Sequence, residues 1–192
     1  MLAARAPQGL LAVAHRIVHG GPHHHTACLL DDAVLADLAT LNPLAPLHQP
    51  HNLDGVAVLR RALPGVPQVG CFDTAFHATL WPVEQALPLP AAVCAPLGLR
   101  RFGFHGLSYQ YLAQVLTACE PRFASGRALL AHLGNGASVC GTLAGQSVAS
   151  SMGFSALDGL MMGTRSGALD PGVLLLLLAQ GWAAARLEQQ LY

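Results

Sequence analysis

Arg127–Gly145, RALLAHLGNGASVCGTLAG, is the stretch on which the fold turns. Two apolar β-type runs, RALLAHL and ASVCGTLAG, flank Gly134-Asn135-Gly136. Asn-Gly is a strong hairpin signal, because a type I′ turn needs positive φ at both central residues and few residue types reach that region cheaply. The spacing therefore predicts an antiparallel hairpin, with QSVASS (146–151) available as a further strand. The extra glycine at position 134 also lets backbone N–H groups come close to a ligand, as phosphate-cradling turns do. On this motif alone, a plain turn and a ligand-binding turn both stand.

Outward from the hairpin, strand-like runs alternate with helical ones, the signature of an α/β fold. Leu10–Ala14 reads as a buried strand running into HRIVHGG, and DDAVLADLATL as a helix opened by Asp31 or Asp32. NPLAPLHQPHN is proline-punctuated loop, LDGVAVLRRAL a short helix, and VPQVGCFDTAFH a β-type run ending at Asp73. Four prolines between Pro82 and Pro96 predict an irregular crossing between two halves. SYQYLAQVLTA reads as a helix, MGFSALDGLMMGTRSGALDPG as glycine-rich loop, and GVLLLLLAQG with AAARLEQQLY as two last helices. The first strand has no strand before it and the last helix none after it, so the expectation is a chain incomplete at both ends.

Composition narrows the function classes. The 192 residues carry ten Arg, no Lys and ten acidic residues, for a formal net charge of zero, so no basic face recommends nucleic acid as a partner. Charged residues make up 10% against a usual share of about 25%, while 53% are apolar, which predicts surface hidden by a partner, a second subunit or further chain. Cys28, Cys71, Cys94, Cys119 and Cys140 are odd in number and contain no C-x-x-C pair, so neither a disulfide framework nor a zinc site is signalled and a reducing cytoplasmic setting is expected. The opening MLAARAPQGLLAVAHR is too short and broken for a secretory signal, and Val173–Leu178 falls short of a membrane span.

Polar residues gather where apolar runs end, the place where open α/β sheets bind ligands. They are Arg16 and His19, His48, Asp73 with His77, His105, Asn135 and Arg165. Arginines, a histidine, a carboxylate and glycine turns together suit phosphoryl transfer, whose catalysis is positioning plus neutralisation of phosphate charge. No G-x-S-x-G elbow is present, and Ser108, Ser138 and Ser166 have no evident His and Asp partners, so serine hydrolysis is not signalled. His23, His24 and His25 cannot all face one point on regular backbone and are expected in an exposed loop.

In order and spacing, HRIVHGG, PLHQPHN, FDTAFH, RRFGFHG, HLGNGASV, SMGFSALDGLMMGTRSG and the following DPG closely resemble the acetate kinase family of acetate and propionate kinases, from about Ala14 to the C-terminus. The resemblance implies two ribonuclease-H-like domains of the actin, sugar kinase and Hsp70 superfamily, closing around ATP, Mg²⁺ and a small carboxylate, acetate or propionate. Residues 1–80 would belong to the N-terminal domain and 81–192 to the first part of the C-terminal one. It further implies a cytoplasmic homodimer, in the full-length protein, that reversibly converts ATP and acetate into ADP and acetyl phosphate.

Residue by residue, Arg16 and Arg165 match the arginines contacting the carboxylate and the transferring phosphoryl group. His105 matches the transition-state histidine, and Asp73 the aspartate that positions substrate and magnesium. Val18, Leu47 and Phe104 match the acyl pocket with His48 beside it. His132, Gly134, Asn135 and Gly136 match the phosphate-binding hairpin. The family's usual HGTSH reads His105-Gly106-Leu107-Ser108-Tyr109 here, a pocket proline is Ala156, and the acidic residue usual after GTRSG is Ala168. The family's N-terminal phosphate-binding turn and C-terminal adenosine-binding segments have no counterpart in these residues. Two expectations follow: a carboxylate kinase whose remaining parts lie outside this chain, inactive alone, or a non-catalytic relative that keeps a half-site.

Overall fold

The computed structural model describes residues 9–192, which form two compact units. The first runs up to Ala78 and includes Phe104–Leu107; the second comprises Thr79–Gly103 and Ser108–Tyr192.

In the first unit, strand β1 (Val13–Ile17), strand β2 (Cys28–Leu29), helix α1 (Asp32–Ala39), helix α2 (Gln49–Ala62) and strand β3 (Gln68–Phe72) follow in order. The sheet order is β1-β3-β2, with β1 parallel and β2 antiparallel to β3. The expected buried strand at Leu10–Ala14 is displaced. Leu10 and Leu11 are exposed, and β1 starts at Val13 opposite Gln68. Val13 takes the last available bond, N–H to the Pro67 carbonyl at 2.8 Å, and Pro67 has no N–H to extend the ladder. Asp31 caps α1, its Oδ1 accepting from the Val34 amide at 2.8 Å, as the acidic start predicted.

Helix α2 begins inside the segment read as proline loop. Pro50 lies in its first turn, where a missing N–H costs no intrahelical bond, so the helix runs for 14 residues from Gln49. Leu38 of α1, Leu41, Val56 of α2 and Leu30 close over Ile17 and Phe72 to form the core. Because side chains alternate along strands, burying Ile17 and Phe72 turns their neighbours Arg16, Cys71 and Asp73 to the opposite face of the sheet.

The second unit carries short helices α3 (Pro82–Gln85) and α4 (Ala91–Leu97) where an irregular crossing was expected. Proline sits in the first turn of α3, again the tolerated position, and Gly98 at φ 61° ends α4. Helix α5 (Gly106–Cys119), whose first two residues belong to the first unit, is followed by β4 (Arg127–Leu133), β5 (Ala137–Leu143) and β6 (Gln146–Ser150), then α6 (Pro171–Ala179) and α7 (Ala184–Leu191). The three strands form an antiparallel sheet in the order β4-β5-β6, the meander read from the sequence.

The turn chemistry differs from expectation. Leu133 pairs with Ala137, so Gly134-Asn135-Gly136 is a three-residue connection, and none of the three has positive φ. The type I′ reading belongs instead to the β5–β6 turn, where Leu143 pairs with Gln146 across Ala144 (φ 50°) and Gly145 (φ 74°). Leu129 and Leu133 on β4 and Leu175 and Leu176 on α6 are exposed, which is where the apolar excess of the composition comes to the surface. Among the described residues, no helix is long and apolar enough to cross a membrane.

Candidate functional site

Two adjacent parallel strands bring Arg16 and Asp73 together. Arg16 lies opposite Cys71 in the ladder, two residues short of Asp73, so both side chains leave the same face. Arg16 Nε donates to both Asp73 oxygens at 3.0 and 3.2 Å, and Nη2 donates to Oδ2 at 2.6 Å. The pair is asymmetric: the Asp73 side chain is 2% exposed and that of Arg16 66%. A buried carboxylate without a partner is costly, so Asp73 holds one edge of the guanidinium in a fixed plane. Nη1 and the outer proton of Nη2 are left for an incoming anion. The hydrogen bond to Asp73 raises the guanidinium pKa further above its ordinary value, against a smaller opposing effect of burial.

The turn after β1 is fastened by side chains from α2. The amide of Val18 donates to Asn52 Oδ1 at 2.9 Å, and Gln49 brackets His19, accepting from its N–H at 3.2 Å and donating to its carbonyl at 3.0 Å. Gly20 N–H donates to Thr74 Oγ1 at 3.0 Å, tying the turn to the residue after Asp73. Gln49, Asn52 and Thr74 were not among the residues singled out from sequence. Their signal was present, since polar residues at i and i+3 in QPHN share a helix face, but only once the segment is known to be helical.

His105, one residue before Gly106 in the first unit, is buried and at φ 60°, a left-handed conformation that costs a non-glycine residue free energy and recurs at functional sites. The neighbouring contacts hold it there. His77 is buried and its Nε2–H donates to the Phe104 carbonyl at 2.9 Å, while the Gly106 amide donates to the Asp73 carbonyl at 2.8 Å. A Cβ at Gly106 would stand 2.3 Å from that carbonyl, so only glycine permits the approach. Burial pushes the His77 pKa down to about 4, so its ring is neutral at neutral pH.

Of the remaining residues expected at the site, Val18 and Phe104 are buried, with Phe104 edge-on to His19 at 5.7 Å between ring centres. Leu47 and His48 are exposed just before α2. These belong to the first unit. Arg165 and the hairpin residues His132, Gly134, Asn135 and Gly136 belong to the second.

There Arg165 Nη1 donates to the Ala156 carbonyl at 3.2 Å and contacts Met162 Sδ at 3.6 Å, folding the irregular segment back on itself. The Asn135 side chain lies beside Gly163, where a Cβ would stand 3.7 Å from Oδ1, so the hairpin and the GTRSG loop are neighbours. Gly134 has an ordinary φ, and a Cβ there would meet nothing closer than 3.5 Å. The fold itself does not require glycine at 134.

The three adjacent histidines do not act as a unit. His23 and His25 are exposed as expected, whereas His24 is half-buried, stacks on Phe72 and bonds Asp37 Oδ2 at 2.8 Å. Among the described residues no group of three or more His, Cys, Asp and Glu side chains is arranged to hold a metal ion. Of the residues expected at the site, Asp73 is the one carboxylate. A lone carboxylate fits Mg²⁺, which takes one or two protein carboxylates and completes its shell with water and substrate phosphates.

A model of the family described as the acetokinase family matches residues 3–191. The chain is 52% identical over 184 residues to an acetate kinase of Methylocella silvestris, covering 95% of this chain and 45% of that protein. It is 49% identical over 183 residues to an acetate kinase of Nitrobacter hamburgensis, again with 95% and 45% covered. Among solved structures it is similar to a propionate kinase from Francisella tularensis (TM-score 0.89, 33% identity, 94% of this chain and 47% of that one). It is also similar to the Porphyromonas gingivalis acetate kinase (TM-score 0.87, 40% identity, 96% and 47%). The chain thus spans about half the length of the relatives it matches.

Proposed function

The chain belongs to the acetate kinase family, and from that premise we propose that its residues serve reversible phosphoryl transfer from ATP to acetate, giving acetyl phosphate and ADP. The observation that carries the reading is the Arg16–Asp73 pair, in which a buried carboxylate fixes one edge of an exposed guanidinium and leaves the other edge open. A guanidinium edge binds two oxygens of a carboxylate or phosphate at once, which orients the anion as well as neutralising it.

In this reading Arg16 holds the acetate carboxylate, with Val18 and Phe104 walling its methyl group and Leu47 and His48 at the rim. His105 donates a hydrogen bond to the phosphoryl oxygens as charge spreads over them, and Arg165 supplies a further cation for phosphate. Donors that stand ready before the reaction lose no energy to reorganisation when charge develops, which is why such contacts weigh heavily in phosphoryl transfer. The amides at Gly134, Asn135 and Gly136, with His132, bind ATP phosphates, and this accounts for a glycine at 134 that the fold does not need. Asp73, besides orienting Arg16, would be the protein ligand of Mg²⁺. When bound, that ion neutralises phosphate charge.

The same reading extends to a homodimer in the cytoplasm and to propionate as a second substrate. The proposal is tested by trapping the acyl phosphate as a hydroxamate, using the protein as its gene encodes it. Hydroxamate that depends on both ATP and acetate supports it, and none above background overturns it.

A further inference from the structure

One buried hydroxyl pair in the second unit has no part in the mechanism above. Tyr109 on α5 and Ser138 on β5 are both fully buried, and their hydroxyls stand 2.5 Å apart. The phenol also receives a hydrogen bond from the backbone of His132. His132 and Ser138 face each other in the β4–β5 ladder, one rung before the strands part into Gly134-Asn135-Gly136. A single phenol oxygen on a helix therefore grips both strands of the hairpin at its mouth.

The pair is hard to explain by stability alone. Burying hydroxyls costs free energy until they are bonded, and once bonded they return little more than a shape-matched apolar pair such as Phe and Ala. What a satisfied hydroxyl network supplies that an apolar pair does not is a fixed direction and register. Here the fixed element is the peptide of His132, two residues before Gly134.

We propose that Tyr109, acting through Ser138 and the His132 peptide, is a positioning residue for the Gly134–Gly136 turn and sets how its amides are presented to phosphate. The inference rests on the phosphate-binding reading of that turn. Tyr109 itself does not touch the ligand.

The test compares wild type with Tyr109→Phe, which removes only the phenol oxygen, in the protein as its gene encodes it. Amide hydrogen exchange across residues 132–138 should speed up by about fivefold, the effect of about one lost hydrogen bond, while peptides from β1, β3 and α7 stay as they are. Mg-ADP affinity should weaken by a similar factor with the KM for acetate unchanged. Ser138→Ala should reproduce the pattern from the other partner, and serves if the phenylalanine variant folds poorly. Unchanged exchange at 132–138, or acceleration spread evenly over the chain, overturns the proposal. Wild type that binds no Mg-ADP overturns the phosphate reading of the turn instead, and the exchange experiment still decides whether the phenol holds it.

Discussion

His77→Gln isolates one buried titration behind the site. The glutamine amide can still donate to the Phe104 carbonyl, but it does not take up a proton. In the folded chain His77 stays neutral down to about pH 4, whereas the unfolded imidazole binds a proton below about 6.5. Between those limits the unfolded state holds more protons, so stability falls as pH drops through the window and is recovered as pH rises. The gap, at about 1.4 kcal/mol per unit, amounts to about 3 kcal/mol once the pH reaches its lower end. That is a large share of the 5–15 kcal/mol or so typical of a domain. Urea midpoints of wild type and His77→Gln, measured at several pH values from neutral to about pH 4.5, should start within about 1 kcal/mol of each other and then diverge. The wild type should lose about 2–3 kcal/mol more than the variant. Other histidines and the carboxylates titrate in both proteins and cancel in the difference. Parallel curves would refute the reasoning, because they would mean that His77 is protonated as readily folded as unfolded.

The remaining predictions address the site. Gly106→Ala should lower stability by about 1–3 kcal/mol in urea denaturation, since the new Cβ meets the Asp73 carbonyl at 2.3 Å. Gly134→Ala should change stability by less than about 1 kcal/mol, because nothing crowds a Cβ there, yet weaken Mg-ADP binding in a direct titration. Arg16→Ala and Arg165→Ala should each lower turnover by about 100-fold or more, a loss of about 2.7 kcal/mol in transition-state stabilisation, with circular dichroism unchanged. Ala156→Pro, which restores the proline that the resembled family carries there, should shift kcat/KM toward acetate over propionate by about tenfold, the worth of about one methylene.

Much of this structure was legible in the sequence where a local pattern decides it. The β4–β5–β6 meander follows from apolar β-type runs broken by glycine, and the start of α1 follows from an acidic pair, Asp31 and Asp32, before an apolar helical stripe. Turn type was not legible, because loop length is fixed by which residues pair, and Leu133 opposite Ala137 leaves three residues where the dipeptide signal counts two. The start of α2 was hidden by Pro50, which breaks a helix in its interior but not in its first turn. Arg16 and Asp73 stood out as polar ends of apolar runs. Their contact joins residues 57 apart in the chain, and only the parallel register supplies it. The catalytic roles suggested for His105 and the hairpin came from the resemblance, since nothing in their spacing distinguishes a phosphate-binding turn from a plain one.

The central claim is that the open edge of Arg16, held by Asp73, binds a carboxylate for phosphorylation. It is met most directly by measuring ATP- and acetate-dependent hydroxamate formation by the protein as its gene encodes it, wild type beside Arg16→Gln, which removes the charge and the fork. The account predicts acyl phosphate from wild type and a loss of about 100-fold or more in kcat/KM for acetate in the variant. Acyl phosphate formed equally well by both proteins, or by neither, contradicts it.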